Sequence, residues 1–139
     1  MAKVTGLGAT IIVSDATPTV RTISNDVFDF QFSTPRAVQD ITGVDKFAME
    51  SLLLLADYTV TFKGGFNSAT NQSHDVFKTI SLSTSPNRSV SIAPTSNSST
   101  PILVVNCVLT DYSINRNNNG ELTWSVPGKL ADGAVPTWA

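Results

Sequence analysis

The only histidine, His74, lies in the tripeptide Ser73-His74-Asp75, which carries the three side-chain types of a hydrolytic triad. A working triad brings these groups together from separate places in the chain, whereas three adjacent residues cannot adopt its geometry. His74 could instead act as a lone general base with a distant partner, and that enzyme hypothesis stays open. A surface or locally capping histidine is the simpler interpretation, and we adopt it.

Metal and cofactor chemistry is not indicated either. One histidine, one cysteine and scattered carboxylates give no recognisable ligand spacing. The glycines at 6, 8, 64 and 65 are not followed by the helix that a phosphate-binding loop requires. We therefore predict no catalytic residues, no metal site and no cofactor.

The composition indicates one β-rich domain. The chain has 139 residues and a net charge of −2, and its charged fraction of 14 % is well below the roughly 25 % typical of soluble domains. Without a basic patch, specific nucleic-acid binding is not expected. We predict a single domain, 1–139, with an extended N-terminal segment (1–8), a polar Ser/Thr loop (95–100) and a C-terminal arm (128–139).

Cysteine and hydropathy patterns place the chain in a reducing compartment during synthesis. Cys107 has no second cysteine to pair with, and it shares the apolar side of an alternating segment, so it is predicted to be a small buried hydrophobe. The N-terminus lacks a secretory signal pattern. No apolar run is long enough to cross a bilayer, so membrane insertion is not expected.

Period-two alternation predicts about eight strands, mainly antiparallel, in a β-sandwich or barrel. One of them, 26–33, carries Asp29 and Gln31 on one side and Phe28, Phe30 and Phe32 on the other. A strand is also expected around Ile80, and 68–75 looks turn-like. One flanking α-helix is predicted at 45–56, because the segment is rich in Ala, Met, Leu and Glu.

A long hairpin is predicted between Pro101 and Val126. If Asn118–Gly120 forms a three-residue loop with Gly120 in the left-handed conformation, Ile114 lies opposite Trp124. Tyr112 then lies opposite Val126, and the second face of the hairpin is polar and free of lysine. Such a face could be the wet side of an ordinary sheet or the wall of a channel that passes a polyanion without holding it. The residues predicted to line this wall are Asp29, Gln31, Asp111, Ser113, Asn115, Glu121, Thr123 and Ser125.

The predicted helix has more apolar surface than contact with one sheet requires. It could lie deep in its own core, or it could be shared with a neighbouring subunit. Chain ends usually fray, so a tryptophan close to the C-terminus indicates a docked tail. Candidate interface residues are Phe47, Leu53, Leu54 and Trp138.

Several blocks of the chain resemble the major tail tube proteins of long, non-contractile-tailed bacteriophages (siphoviruses), and most of all those of phages infecting actinobacteria. The resemblance covers most of the chain. The blocks that carry it are 41–58, 65–67, 73–79, 110–114, 120–128 and 132–138.

The resemblance implies a non-enzymatic virion protein with a β-sandwich and a flanking helix. Six such subunits would form a ring with a continuous barrel, and stacked rings would form a tube in the phage tail, assembled in the host cytoplasm. The implied partners are other copies of the chain, the tape-measure protein, the tail terminator and distal tail proteins, and DNA in transit through the lumen. The alternative from another class is a monomeric Ig-like binding or adhesion module.

Overall fold

The computed structural model describes residues 3–82, 87–96 and 101–139. Within them the chain forms eleven strands, one short α-helix, α1 (Ser73–Phe77), and a 3₁₀ turn, Ser24–Asp26. The strands are β1 (Thr10–Ser14), β2 (Val20–Thr22), β3 (Val27–Ser33), β4 (Arg36–Asp40), β5 (Ser51–Ala56), β6 (Thr59–Gly65), β7 (Arg88–Ala93), β8 (Leu103–Leu109), β9 (Ser113–Arg116), β10 (Leu122–Leu130) and β11 (Thr137–Trp138).

Nine strands form one antiparallel sheet that curls around a single core. Its order is β2-β1-β7-β8-β10-β6-β3, with β11 added to β8 and β9 added to β10. Strand β10 joins the two halves, since one of its edges pairs with β6 and the other pairs first with β9 and then, at its final residues, with β8. Apolar side chains of β1, β7 and β8 meet those of β6 and β10 in one buried cluster. The predicted β-rich antiparallel fold is confirmed.

The helix predicted at 45–56 is wrong. Ser51–Ala56 is strand β5, which pairs with β4 in a separate two-stranded sheet, and no residue between 41 and 50 is helical. Leucine-rich sequence favours a helix only weakly, and pairing with a partner strand overrides that preference. A run of four leucines without a polar side is also typical of a strand.

The loop of this second sheet, 41–50, is fixed by local hydrogen bonds. Thr42 donates its backbone N–H to Asp40 Oδ1 at 2.9 Å, and the Glu50 N–H reaches Thr42 Oγ1 at 2.8 Å. The Thr42 hydroxyl, which donates to Asp40 Oδ1 at 2.6 Å, and then the Thr42 backbone N–H lower the pKa of Asp40. We call residues 36–56, which comprise β4, the loop and β5, the arm.

Helix α1 lies where the sequence predicted a polar turn. Its start is held by the buried Asp26 carboxylate, which accepts the Ser73 backbone N–H at 3.0 Å and the Asn67 amide at 2.8 Å. Val76 and Phe77 from this helix are fully buried. The strand predicted around Ile80 is wrong, because this segment is a turn that follows α1.

Three smaller predictions have different outcomes. Cys107 is fully buried, as expected. The proposed C-terminal arm begins later than predicted, because β10 continues to Leu130. Most of the predicted loop 95–100 lies outside the described residues. In the described part of the chain, no helix has the length and hydropathy needed to cross a membrane.

Candidate functional site

The predicted hairpin is present with the predicted register. Ile114 pairs with Trp124, and the Asn117 N–H bonds to the Glu121 carbonyl at 2.9 Å across the loop. Gly120 has φ of +92°, the left-handed conformation that closes the turn. Tyr112 lies one residue before β9, so its predicted pairing with Val126 is not part of the ladder.

One side of β9, β10, β6 and β3 forms a continuous polar surface, which we call the polar face. The ladder registers place Ser113, Ser125, Lys63 and Asp29 in one row across the four strands. The rows on either side contain Asn115 with Thr123, and Thr61 with Gln31. Six of the eight residues predicted to line a channel therefore share this face: Asp29, Gln31, Ser113, Asn115, Thr123 and Ser125.

Lys63 changes the predicted charge of this face. It pairs with Ser125 on one side and with Asp29 on the other, although no carboxylate oxygen of the described residues lies within the 4.0 Å of an ion pair. Lys129 lies on the same face, at the far end of β10. The lysine-free, acidic surface predicted from the hairpin alone is therefore wrong for the assembled sheet, which mixes both signs.

The other two predicted channel residues lie away from the four-stranded region. Asp111 is in the segment between β8 and β9, where it lines a small depression of about 160 Å³ together with Lys78 and Ile80. Glu121 is at the end of the hairpin loop, and its carboxylate accepts a hydrogen bond from the Asn117 side chain at 2.9 Å.

Phe28 belongs to the polar face, contrary to the predicted alternation with Phe30 and Phe32. The β3–β6 register shifts between Val27 and Asp29, so Phe28 occupies a bulge and is 71 % exposed. Its ring lies over Gly65, beside a groove of about 290 Å³. Glycines inside a strand often mark such a close approach, so the pair Gly64-Gly65 was the available sequence signal.

The arm exposes apolar side chains on both of its faces. Phe47 in the loop is fully exposed (110 %), and Leu55 on β5 is 85 % exposed. Leu53 lies opposite Val38 in the ladder, and it too projects into solvent. Further exposed apolar residues of the arm and its loop are Ile41, Val44, Met49, Leu52 and Leu54. Three of the four predicted interface residues thus lie on an uncovered apolar surface.

Trp138 is docked on its own chain, as a terminal tryptophan was expected to be. It pairs with Leu103 through β11, and its ring centroid is 5.8 Å from that of Phe32. This contact connects the β8 side of the sheet to β3. Half of the Trp138 surface remains exposed, so only that half is available to another subunit.

The His74 and Asp75 side chains have separate partners, and the buried Ser73 hydroxyl has none among the described residues. His74 Nδ1 lies 3.2 Å from the Tyr112 hydroxyl, while the Asp75 carboxylate accepts bonds from the Asn71 N–H and from Lys78. The Asn71 N–H, followed by Lys78, lowers the pKa of Asp75. Ser73, the first residue of α1, is fully buried. Within the described residues, no three His, Cys, Asp or Glu side chains cluster as metal ligands would.

The comparisons with known proteins give the fold. No protein-family model matches the sequence, and no curated protein does. Two solved structures superpose over 99 % of this chain and 99 % of their own. One is a chain of the virion of a native gene transfer agent particle, with a TM-score of 0.73 and 16 % identity. The other is a chain of the tail of an empty gene transfer agent particle, determined by helical refinement with C6 symmetry, with a TM-score of 0.74 and 14 % identity. This chain therefore shares the fold of these two chains.

Proposed function

We propose that this protein is a structural tail tube subunit of a phage-like particle, without enzymatic activity. The observation that carries the proposal is the end-to-end likeness to a chain in a tail with C6 symmetry. In this proposal six copies form a ring, rings stack into a tube, and the assembled protein is located in the virion after assembly in the host cytoplasm. The resemblance to siphovirus tube proteins of actinobacterial phages supports the same assignment.

The arm supplies the assembly surface. Burying one leucine or phenylalanine side chain contributes about 1.5–3 kcal/mol, so Phe47, Leu53 and Leu54 together favour contact with a neighbouring copy strongly. The exposed half of Trp138 extends this surface. Among the described strands, β3 and β9 each pair on one side only, and open sheet edges are ready to pair with another copy.

The polar face supplies the proposed lumen wall. It is flanked by the open edges of β3 and β9, so joining those edges around a ring would turn the polar face into a continuous surface. Its mixture of hydroxyls, amides, Asp29 and Lys63 carries little net charge, which suits contact with the tape-measure protein and then with DNA in transit. The tail terminator and distal tail proteins would cap the two ends of the tube.

The experiment is assembly of the purified full chain at rising concentration, followed by sedimentation velocity and negative-stain microscopy. We expect rings or tubes with a central channel. Leu53→Asp should prevent them, because it places a charge in the apolar contact, while Leu82→Asp, an equally exposed leucine outside the arm, should assemble normally. Only small globular particles at every concentration would contradict the proposal and favour an Ig-like binding module.

A further inference from the structure

The groove beside Phe28 has a floor that cannot carry side chains. On the groove side, a Cβ on Gly65 would lie 2.7 Å from the Phe28 ring, and on the core side a Cβ on Gly64 would collide with the Asp26 carbonyl oxygen. Trp124 fixes this floor from the core side by donating its indole N–H to the Gly65 carbonyl at 2.7 Å. The absence of a side chain at Gly65 therefore leaves the groove open, and the Phe28 ring forms one of its walls.

Five polar side chains surround the opening, and none is a carboxylate. They are Lys63, Ser113, Asn115, Thr123 and Ser125. Across residues 3–82, 87–96 and 101–139, none of these five side chains has a hydrogen-bond or ion-pair partner. At the far end of the same face, by contrast, Ser33 and Thr59 bond each other at 2.9 Å.

The chemistry of the groove suits an oxyanion. An ammonium group, three hydroxyls and an amide can all donate hydrogen bonds, and a charge-assisted bond from lysine is the strongest of them. The donors come from β9, β10 and β6, which span about 10 Å at the usual strand spacing. That width exceeds one carboxylate and is enough to contact neighbouring phosphates of one DNA strand.

We propose that this groove binds phosphate groups, and that their source is the backbone of DNA. The choice of DNA rests on the proposed tail tube function. An acidic peptide is the poorer ligand, because peptides are held at sheet edges through main-chain hydrogen bonds. This groove opens on the face of the sheet, and the main-chain groups of β10 beneath it already pair with β6 and β9.

The proposed contact between the groove and a DNA phosphate is weak. Each subunit places one lysine at the groove, and Asp29 follows directly across the ladder, so a phosphate meets one attractive and one repulsive group in the same row. A duplex is then guided along the wall without being retained. The sequence composition, with its net charge of −2, gives no indication of such a site.

The test measures binding of a short fluorescent DNA duplex to the full-length protein by anisotropy, over a series of salt concentrations. Lys63→Gln should weaken binding several-fold and reduce the slope of log K against log salt by about 1. Inorganic phosphate should compete, and a glutamate oligomer of equal charge should compete less well. Lys129→Gln is the matched control, because Lys129 lies on the same face but outside the groove.

Equal losses of DNA affinity in Lys63→Gln and Lys129→Gln would show that the groove is not the binding site and that only general electrostatic attraction acts. A glutamate oligomer that competes as well as phosphate would overturn phosphate as the ligand. Binding of free phosphate without binding of duplex would overturn DNA as the source. Lys63 is exposed, so the variant should fold, and an unchanged urea midpoint verifies that. Tube formation is scored separately by microscopy, so failure of the groove and failure of the proposed function give different results.

Discussion

The β9–β10 hairpin and the arm are built alike, as two antiparallel strands joined by a loop, but different surroundings stabilise them. In the hairpin, β10 also pairs with β6, and Trp124 and Val126 lie in the core. In the arm, β4 and β5 pair only with each other among the described strands, and apolar side chains on both faces reach solvent. The β9–β10 hairpin packs against the rest of its own domain, whereas, within the described residues, the arm does not.

The difference shows which surface requires a partner. An isolated two-stranded hairpin is marginally stable in water, and a large apolar patch on a soluble protein usually marks an interaction site. The β9–β10 hairpin is not isolated, because β10 also pairs with β6. Its polar face is not an apolar patch either, because hydroxyl and amide groups are stable in water without further contacts. In the proposed assembly, contacts between copies therefore fall on the arm, while the polar face stays in contact with water.

The largest predicted difference between the two hairpins is in stability. Trp124→Ala should lower the free energy of unfolding by about 3–5 kcal/mol, because it empties a fully buried site between β10 and Phe77. Leu55→Ala in the arm should change it by less than about 0.5 kcal/mol. Urea denaturation of the unassembled protein measures both. Similar losses for the two variants would show that the arm is part of the cooperative core.

Much of the hairpin, and little of the arm, could be predicted from sequence. Alternation in β3 and the glycine at 120 are local signals, so Asp29, Gln31 and the Ile114–Trp124 pair followed directly from the residue pattern. Lys63 joins the polar face only because β6 inserts between β3 and β10, and such a non-local pairing leaves no trace in a single strand. The exposed leucines of β5 violate the rule that apolar residues are buried in their own chain, so pattern analysis placed them on a helix.

The hairpin loop should be sensitive to its one left-handed residue. Gly120→Ala introduces a Cβ that meets no atom within 4 Å, so its cost, about 1–2 kcal/mol, comes from the positive φ alone. Gly133→Ala is the matched control, since Gly133 has φ of +75° and equally open space but lies outside both hairpins. Thermal or urea unfolding should give similar losses for both. A neutral Gly120→Ala would mean that the loop changes conformation freely.

A smaller effect is expected inside the arm. Arg36 donates from Nε and Nη2 to the Leu54 carbonyl at 2.9 and 2.7 Å, which ties the two strands together near the base. Arg36→Gln should leave the urea midpoint nearly unchanged and yet speed amide hydrogen exchange in β5. Arg21→Gln, which removes the ion pair with Asp15 instead, should not affect β5 exchange. Unchanged exchange in Arg36→Gln would show that the arm's ladder does not depend on this contact.

Thiol labelling compares the exposure of the core, at Cys107 on β8, with that of the arm. Burial, with a smaller contribution from Asp132, raises the pKa of Cys107 to about 12, so at pH 8 the thiol is neutral and unreactive, and the thiolate is the reactive form. A Leu53→Cys thiol in a Cys107→Ala background is exposed and should label rapidly at the same pH. Both should label equally in urea, which controls for reagent quality. Assembly should then slow labelling of the arm thiol in the variant and leave the labelling rate of Cys107 in the unaltered protein unchanged. An arm thiol that labels equally fast before and after tubes form would remove the arm from the assembly contact.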